Sequence, residues 1–115
     1  MGNPIVHCEI PQQDLGKGAE FYSKLFGWKF TPWGEQYSMF ERSEGGIGGG
    51  LTLEDKPDAQ IMLYIMVDDI EAKLAQIEQA GGKMVTPKTP IPEIGFFAVF
   101  TDLSGVSMGL FTPKM

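Results

Sequence analysis

The chain reads as an α+β protein made of two tandem βαβββ modules. They are expected to pair into a curved mixed sheet with helices on its outer face and a concave cavity. Three observations predict this. Two segments carry apolar residues at helical spacing, and short runs of strand character flank each of them. The second half overlays the first at a shift of 55 positions: Ile10 falls on Ile65, Asp14 on Asp69, Leu15 on Ile70 and Gly27 on Gly82. Further on, Gly50-Leu51-Thr52 falls on Gly109-Leu110-Phe111 at a shift of 59. Finally, 115 residues is the length of one domain, and each half would leave an apolar face that only its twin covers. The expectation is a single domain, with module one at about 1–55 and module two at about 60–115.

Taken in order, residues 4–10 form the first strand, opened by Pro4 and closed by Pro11. Its pleat puts His7 and Glu9 on one face and Cys8 on the other. Asp14 stands where a helix N-cap belongs. Leu15, Ala19, Tyr22, Leu25 and Phe26 then recur on one helical face, and Gly27 sits at the left-handed stop. Gly16 and Gly18 weaken this helix by about 1 kcal/mol each relative to alanine. Either they allow close packing or they face solvent. Trp28 to Trp33 is the second strand, Gly34-Glu35 a turn, and Gln36 to Glu41 the third strand, with Tyr37 and Met39 on one face and Ser38 and Phe40 on the other. Gly48 to Leu53 is a glycine-lined fourth strand, and Asp55 to Ala59 a linker containing Pro57.

The order then repeats. Ile61 to Val67 is a strand. Asp68 or Asp69 caps the second helix, and Asp68 with Glu71 has capping-box spacing. Ile70, Leu74 and Ile77 mark its buried face, and Gly81-Gly82 end it. Lys83 to Thr86 is a short strand. Pro87, Pro90 and Pro92 predict an irregular loop after it. Gly95 to Thr101 and Val106 to Phe111 are the last two strands, joined by the turn Asp102 to Gly105.

Composition removes several classes of function. Fifteen acids against nine bases give a net charge of −6, so no basic surface is present to release phosphate counterions, and no nucleic-acid partner is expected. The longest apolar run, Ile61 to Val67, is far short of the ~20 residues a membrane helix needs. Residues 1–10 lack a basic start followed by a long apolar core, so no signal peptide is expected. A single cysteine allows no internal disulfide. The expected address is the cytoplasm. Gly45 to Gly50 is no phosphate loop, because no Lys-Ser/Thr follows and no helix opens there. Ser104 lacks the G-x-S-x-G surround of a nucleophile elbow.

The paired βαβββ order resembles the vicinal oxygen chelate superfamily, which contains glyoxalase I, bleomycin-resistance proteins and extradiol dioxygenases. The residues that carry the resemblance are His7, Asp14, Phe21-Tyr22, Leu25-Phe26-Gly27-Trp28, Val67-Asp68-Asp69-Ile70, Gly81-Gly82 and Thr101-Asp102-Leu103-Ser104-Gly105. The likeness is to short, single-domain bacterial members related to lactoylglutathione lyase. It implies a homodimer. It also implies four metal-ligand positions, a His or Gln on the first strand and a Glu on the last strand of each half. These fall on His7, Gly50, Met62 and Gly109. One usable ligand in four is no metal site, so neither a metal nor any other cofactor is expected. His7 is either a buried, hydrogen-bonded side chain without a chemical role or a ligand contact or general base partnered by Glu9.

Two glycines at carboxylate positions would also clear the cavity floor. The candidate ligand-binding residues are His7, Glu9, Trp33, Tyr37, Gly50, Met62, Tyr64, Phe97 and Gly109, with His7 and Glu9 the candidate catalytic pair. Met66 and Met108 are further lining candidates. Ordinary core packing competes with this reading for the aromatic and methionine set. The expected function is small-molecule binding in an apolar concave pocket, in the manner of a glyoxalase or bleomycin-resistance protein with a degenerate metal site. Against it stands a divergent lyase or isomerase using His7 and Glu9, with or without a nonstandard divalent metal. Whether the chain is an enzyme is left open. An accessory domain acting through its surface is a third reading, and it predicts a large exposed apolar patch without a cavity.

Overall fold

The computed structural model describes residues 2–41, 45–54, 56 and 58–114. By internal contacts it divides into two units. One is His7–Met62, and the other joins Met1–Val6 to Leu63–Met115. Asp55 and Pro57 of the expected linker lie outside the described residues. Each unit carries the βαβββ order.

The His7–Met62 unit contains most of β1 (Ile5–Gln12), then α1 (Leu15–Phe26), β2 (Phe30–Pro32), β3 (Tyr37–Phe40) and β4 (Gly48–Leu53). Its strands lie in the order β2-β3-β4-β1. β1 runs parallel to β4, and the β2–β3 and β3–β4 pairs are antiparallel. β1 does not stop at Pro11. Pro11 stands opposite Thr52 and Gln12 opposite Leu53, and the Gln12 carbonyl accepts from the Glu54 amide at 2.8 Å. β2 is shorter than expected. Trp28 lies outside it and stacks on Phe40 at 4.5 Å between centroids.

α1 begins as its sequence dictates. The Asp14 carboxylate accepts from the Lys17 amide at 2.9 Å, and Gly27 closes the helix with φ 75°. The helix packs on β3 and β4. Its two glycines differ. Gly16 is exposed, whereas Gly18 is buried, with the Gln12 carboxamide where a Cβ would project. Leu25 and Phe26 were expected in the buried stripe and are exposed, at 57% and 60%. After the left-handed turn at Gly27, Trp28 doubles back between Tyr22 and Phe40. The last turn of the helix therefore meets Trp28 instead of the sheet.

The later unit contains β5 (Met62–Met66, from Leu63), α2 (Ile70–Gln79), β6 (Lys83–Ile91), β7 (Gly95–Thr101) and β8 (Ser107–Pro113). The order is β5-β8-β7-β6, with β5 parallel to β8. α2 packs on β6, β7 and β8 over a core of Val67, Ile70, Leu74, Ala98, Phe100 and Leu110. Asp69 is the cap, accepting from the Ala72 amide at 3.0 Å, so the capping box on Asp68 does not form. The proline loop is another correction. Residues 87–91 continue β6 beside β7, with register shifts between Met84 and Thr86 and between Thr86 and Thr89. A proline can sit in an edge strand where its missing N–H faces away from the ladder, and bulges absorb the mismatch. Among the described residues no helix is long and apolar enough to cross a membrane.

Candidate functional site

The site begins with the pleat of β1. In the His7–Met62 unit, register sets Glu9 beside Gly50, and Gly50 beside Met39. Residues opposite each other in a ladder share a face, so Glu9, Gly50 and Met39 point the same way. His7 and Tyr37 each lie two residues from a member of this set, which puts them on the same side. Cys8, Phe40 and Leu51 take the other side, toward α1. Sγ of Cys8 lies against Gly49, and burial together with the Glu9 charge pushes its thiol pKa up. A high pKa makes it a poor nucleophile.

On the first face, one side chain dominates. Tyr37 stands opposite Thr52 on β4, yet its ring leans diagonally onto Gly50. A Cβ at position 50 would meet Cζ, Cε2 and the hydroxyl of Tyr37. The Tyr37 hydroxyl reaches His7 Nε2 at 2.7 Å, with the two rings 22° from parallel. It also hydrogen-bonds Glu9. A carboxylate can only accept, so the phenol proton points to Glu9 and His7 Nε2–H donates to the phenol oxygen. The result is a directed chain from His7 through Tyr37 to Glu9.

The electrostatics agree with that direction. Burial lowers the His7 pKa from 6.5, which keeps the imidazole neutral at physiological pH. Burial, the Glu9 charge and the bond to Glu9 hold the Tyr37 phenol far above its ordinary value. Both rings are therefore neutral, and the charge that acts on the phenol is that of Glu9.

In the later unit, Tyr64, Gly109 and Val99 share a face by register, as do Met66, Phe111 and Phe97. Here a second tyrosine ring, that of Tyr64, covers the glycine at 109. Phe97 points away from the α2 core, which Phe96, Ala98 and Phe100 join. Met108 packs against that core, so it is no lining residue. Trp33 sits in the turn before β3, where its amide donates to the Tyr37 carbonyl at 2.9 Å, and it is exposed. Met62 is half-buried at the end of its unit.

These placements change one expectation. Gly50 and Gly109 do not leave open floor above them, because a tyrosine ring lies on each. The role of Tyr37 as the partner of His7 was not read from the sequence. Its signal was a tyrosine on the strand hairpinned to β4, within diagonal reach of a glycine. A groove of about 390 Å³ opens elsewhere in this unit, beside Gln12, Asp14, Lys17, Phe21 and Tyr22, and none of the predicted residues lines it.

A divalent ion does not fit the carried-over positions. His7 offers its Nε2 to a phenol, Gly50 and Gly109 have no donor atoms and lie under rings, and Met62 offers a thioether. Among the described residues no group of three or more His, Cys, Asp or Glu side chains is placed to hold a metal.

Known proteins share this architecture. A glyoxylase-like domain-containing protein of Didymella fabae is 29% identical over 111 residues, covering 88% of this chain and 87% of its own. The anthracycline biosynthesis protein DnrV of Streptomyces peucetius is 26% identical over 123 residues, but this chain spans only 44% of its length. A crystal structure of methylmalonyl-CoA epimerase from Mycobacterium tuberculosis superposes with a TM-score of 0.71, at 19% identity, covering 96% of this chain and 88% of that one. That last likeness is one of fold. The family model described as Glyoxalase/Bleomycin resistance protein/Dioxygenase superfamily matches residues 4–109, and the chain belongs to that superfamily.

Proposed function

We propose that this chain is a small-molecule-binding member of the superfamily that works without the family's divalent ion, using the His7–Tyr37–Glu9 chain as its polar fixture. One observation carries the reading. The Tyr37 hydroxyl lies 2.7 Å from His7 Nε2 while its ring covers Gly50. The nitrogen that would face a metal, and the place a second ligand would fill, are both taken up by one phenol.

The test is a thermal-shift screen with elemental analysis of freshly purified protein. A ligand at about 100 times its Kd stabilises the folded state by about 2.7 kcal/mol, which reads as several degrees in Tm. At least one compound of an apolar and cationic library should do so, and transition metal should stay below about a tenth of an equivalent. A screen without stabilisation, or a full equivalent of bound metal, would overturn the reading.

A lyase or isomerase is the second reading, and the same chain of groups favours it. A neutral imidazole joined to a carboxylate through a phenol can take up a proton at one end and release it at the other. The epimerase fold neighbour is compatible with such chemistry. Its mark would be solvent-deuterium incorporation into a carbon-acid substrate, abolished in both His7→Gln and Glu9→Gln.

A further inference from the structure

We infer that the groove between the end of β1 and the first turns of α1 is a second binding site, for small zwitterions that carry an aromatic ring, of which the aromatic amino acids are the simplest. It goes beyond the reading above and does not rest on it, because none of His7, Tyr37 and Glu9 lines this groove.

The groove has a held wall and a held floor. It offers about 390 Å³, a volume in the range of small-molecule sites, and lies wholly within the His7–Met62 unit. Its wall is Phe21 and Tyr22, edge to face at 5.3 Å between centroids and 88° between planes. Tyr22 is braced by Trp28, 5.3 Å away and 6° from parallel, and Trp28 in turn rests on Phe40. Phe21 is 56% exposed, so the pair presents aromatic surface that the unit itself does not cover. The floor is fixed as well. Gln12 fills the space beside Gly18 where a Cβ would project, and its Nε2 donates to the Pro11 carbonyl at 2.9 Å. Side chains already held in place lose little freedom when a ligand arrives.

The charges choose the ligand. Asp14 and Lys17 both line the groove, with opposite charges one helical turn apart. Asp14 Oδ1 accepts from the Lys17 amide at 2.9 Å, so that amide is spent on the cap and is not what recruits a ligand. The second Asp14 oxygen and the Lys17 ammonium make no hydrogen bond or ion pair among the described residues. A ligand with only an anionic head is drawn to Lys17 and repelled by Asp14, and one with only a cationic head meets the reverse. A zwitterion with its two charges close together satisfies both, while its ring packs against Phe21 and Tyr22. Both charges are exposed and screened, so each is worth about two- to fivefold in affinity.

The experiment uses three probes that share a phenyl ring and differ in head group: L-phenylalanine, phenethylamine and 3-phenylpropionate, titrated at neutral pH. The readout is the backbone amide resonances of Lys17, Gly18 and Tyr22, with the imidazole resonance of the chain's single histidine as the control. L-phenylalanine should give saturable shifts with a Kd of about 1 mM, and the other two should bind at least about threefold more weakly. Asp14→Asn keeps a good N-cap and removes the negative charge, so 3-phenylpropionate should bind it at least as tightly as L-phenylalanine does. Lys17→Gln, at an exposed position, should hand the advantage to phenethylamine. Phe21→Ala should weaken all three probes by at least about fivefold. No saturable shift with L-phenylalanine up to about 50 mM would overturn the site. Equal binding of the three probes, or an order that neither charge variant changes, would overturn the ligand class. Shifts at His7 with the groove amides unmoved would overturn the site and support binding at the His7 face instead.

Discussion

Position 50 shows how much a missing side chain can decide. With a glycine there, the Tyr37 ring can lie flat on the strand and bring its hydroxyl to His7. That contact belongs to a half-buried imidazole whose pKa burial lowers from 6.5. The sign of the consequence is fixed. Protonating His7 is harder in the folded chain than in the unfolded one, so the neutral ring's contribution to stability is complete above about pH 6.5. It is lost as the pH falls below that toward the folded value. The urea midpoint should therefore fall more between about pH 7.5 and about pH 5.5 in the natural chain than in His7→Gln. Equal falls in the two proteins would show that His7 is not held neutral. The candidate face of β1 was legible in the sequence because alternation in a strand is strict, and His7 and Glu9 needed nothing else to be paired. The hydroxyl that joins them was not, because it comes from another strand through a diagonal lean that period-two reasoning does not contain.

Elements were legible where local chemistry settles them. Asp14 and Gly27 bound α1 in the structure as their residue types require, and β4 and β7 run as the pattern predicts. Elements went wrong where tertiary partners overrode local rules. Three prolines argue against a strand, but β7 supplies a ladder along which residues 87–91 extend with shifts of register. The two helix glycines make the same point and allow a direct test. Gly16 is exposed and meets only the Asp14 carboxylate, at 3.6 Å, so Gly16→Ala should stabilise the protein by about 0.5–1 kcal/mol through helix propensity alone. At Gly18 the same change gains the same propensity and must also push aside the Gln12 side chain, which is tied through its Nε2 to the Pro11 carbonyl at 2.9 Å. Its midpoint in urea should fall below that of Gly16→Ala. Equal midpoints would mean that the Gln12 contact carries no weight.

At the scale of the whole molecule, the repeat was the strongest signal, because a shift of 55 aligns the two helix N-caps, Asp14 and Asp69, together with flanking strand residues, although α2 stops at Ala80 and not at the Gly82 that falls on Gly27. What the repeat could not tell is that the modules handle their glycines through different strands. β3 provides the covering ring at Gly50, and β5 provides it at Gly109. Two such plugs have one global consequence for stability. Nothing at these positions ties folding to a divalent ion, so the thermal midpoint should be the same in excess chelator as in excess zinc or nickel. A binder at 100 times its Kd would raise it by several degrees. A metal-dependent midpoint would mean that the rings move aside for an ion.

The two glycine–tyrosine pairs also constrain the paths by which this sequence can change. A glutamate arriving at position 50 alone would drive its Cβ into the Tyr37 ring, an overpacking worth about 1–3 kcal/mol. Truncating Tyr37 alone would leave a void and remove its bond to His7, at about 2–4 kcal/mol for a half-buried aromatic. Each step is harmful without the other, and position 109 repeats the problem with Tyr64. Sign epistasis of this kind works as a barrier: a carboxylate does not reach either position through single, individually tolerated substitutions.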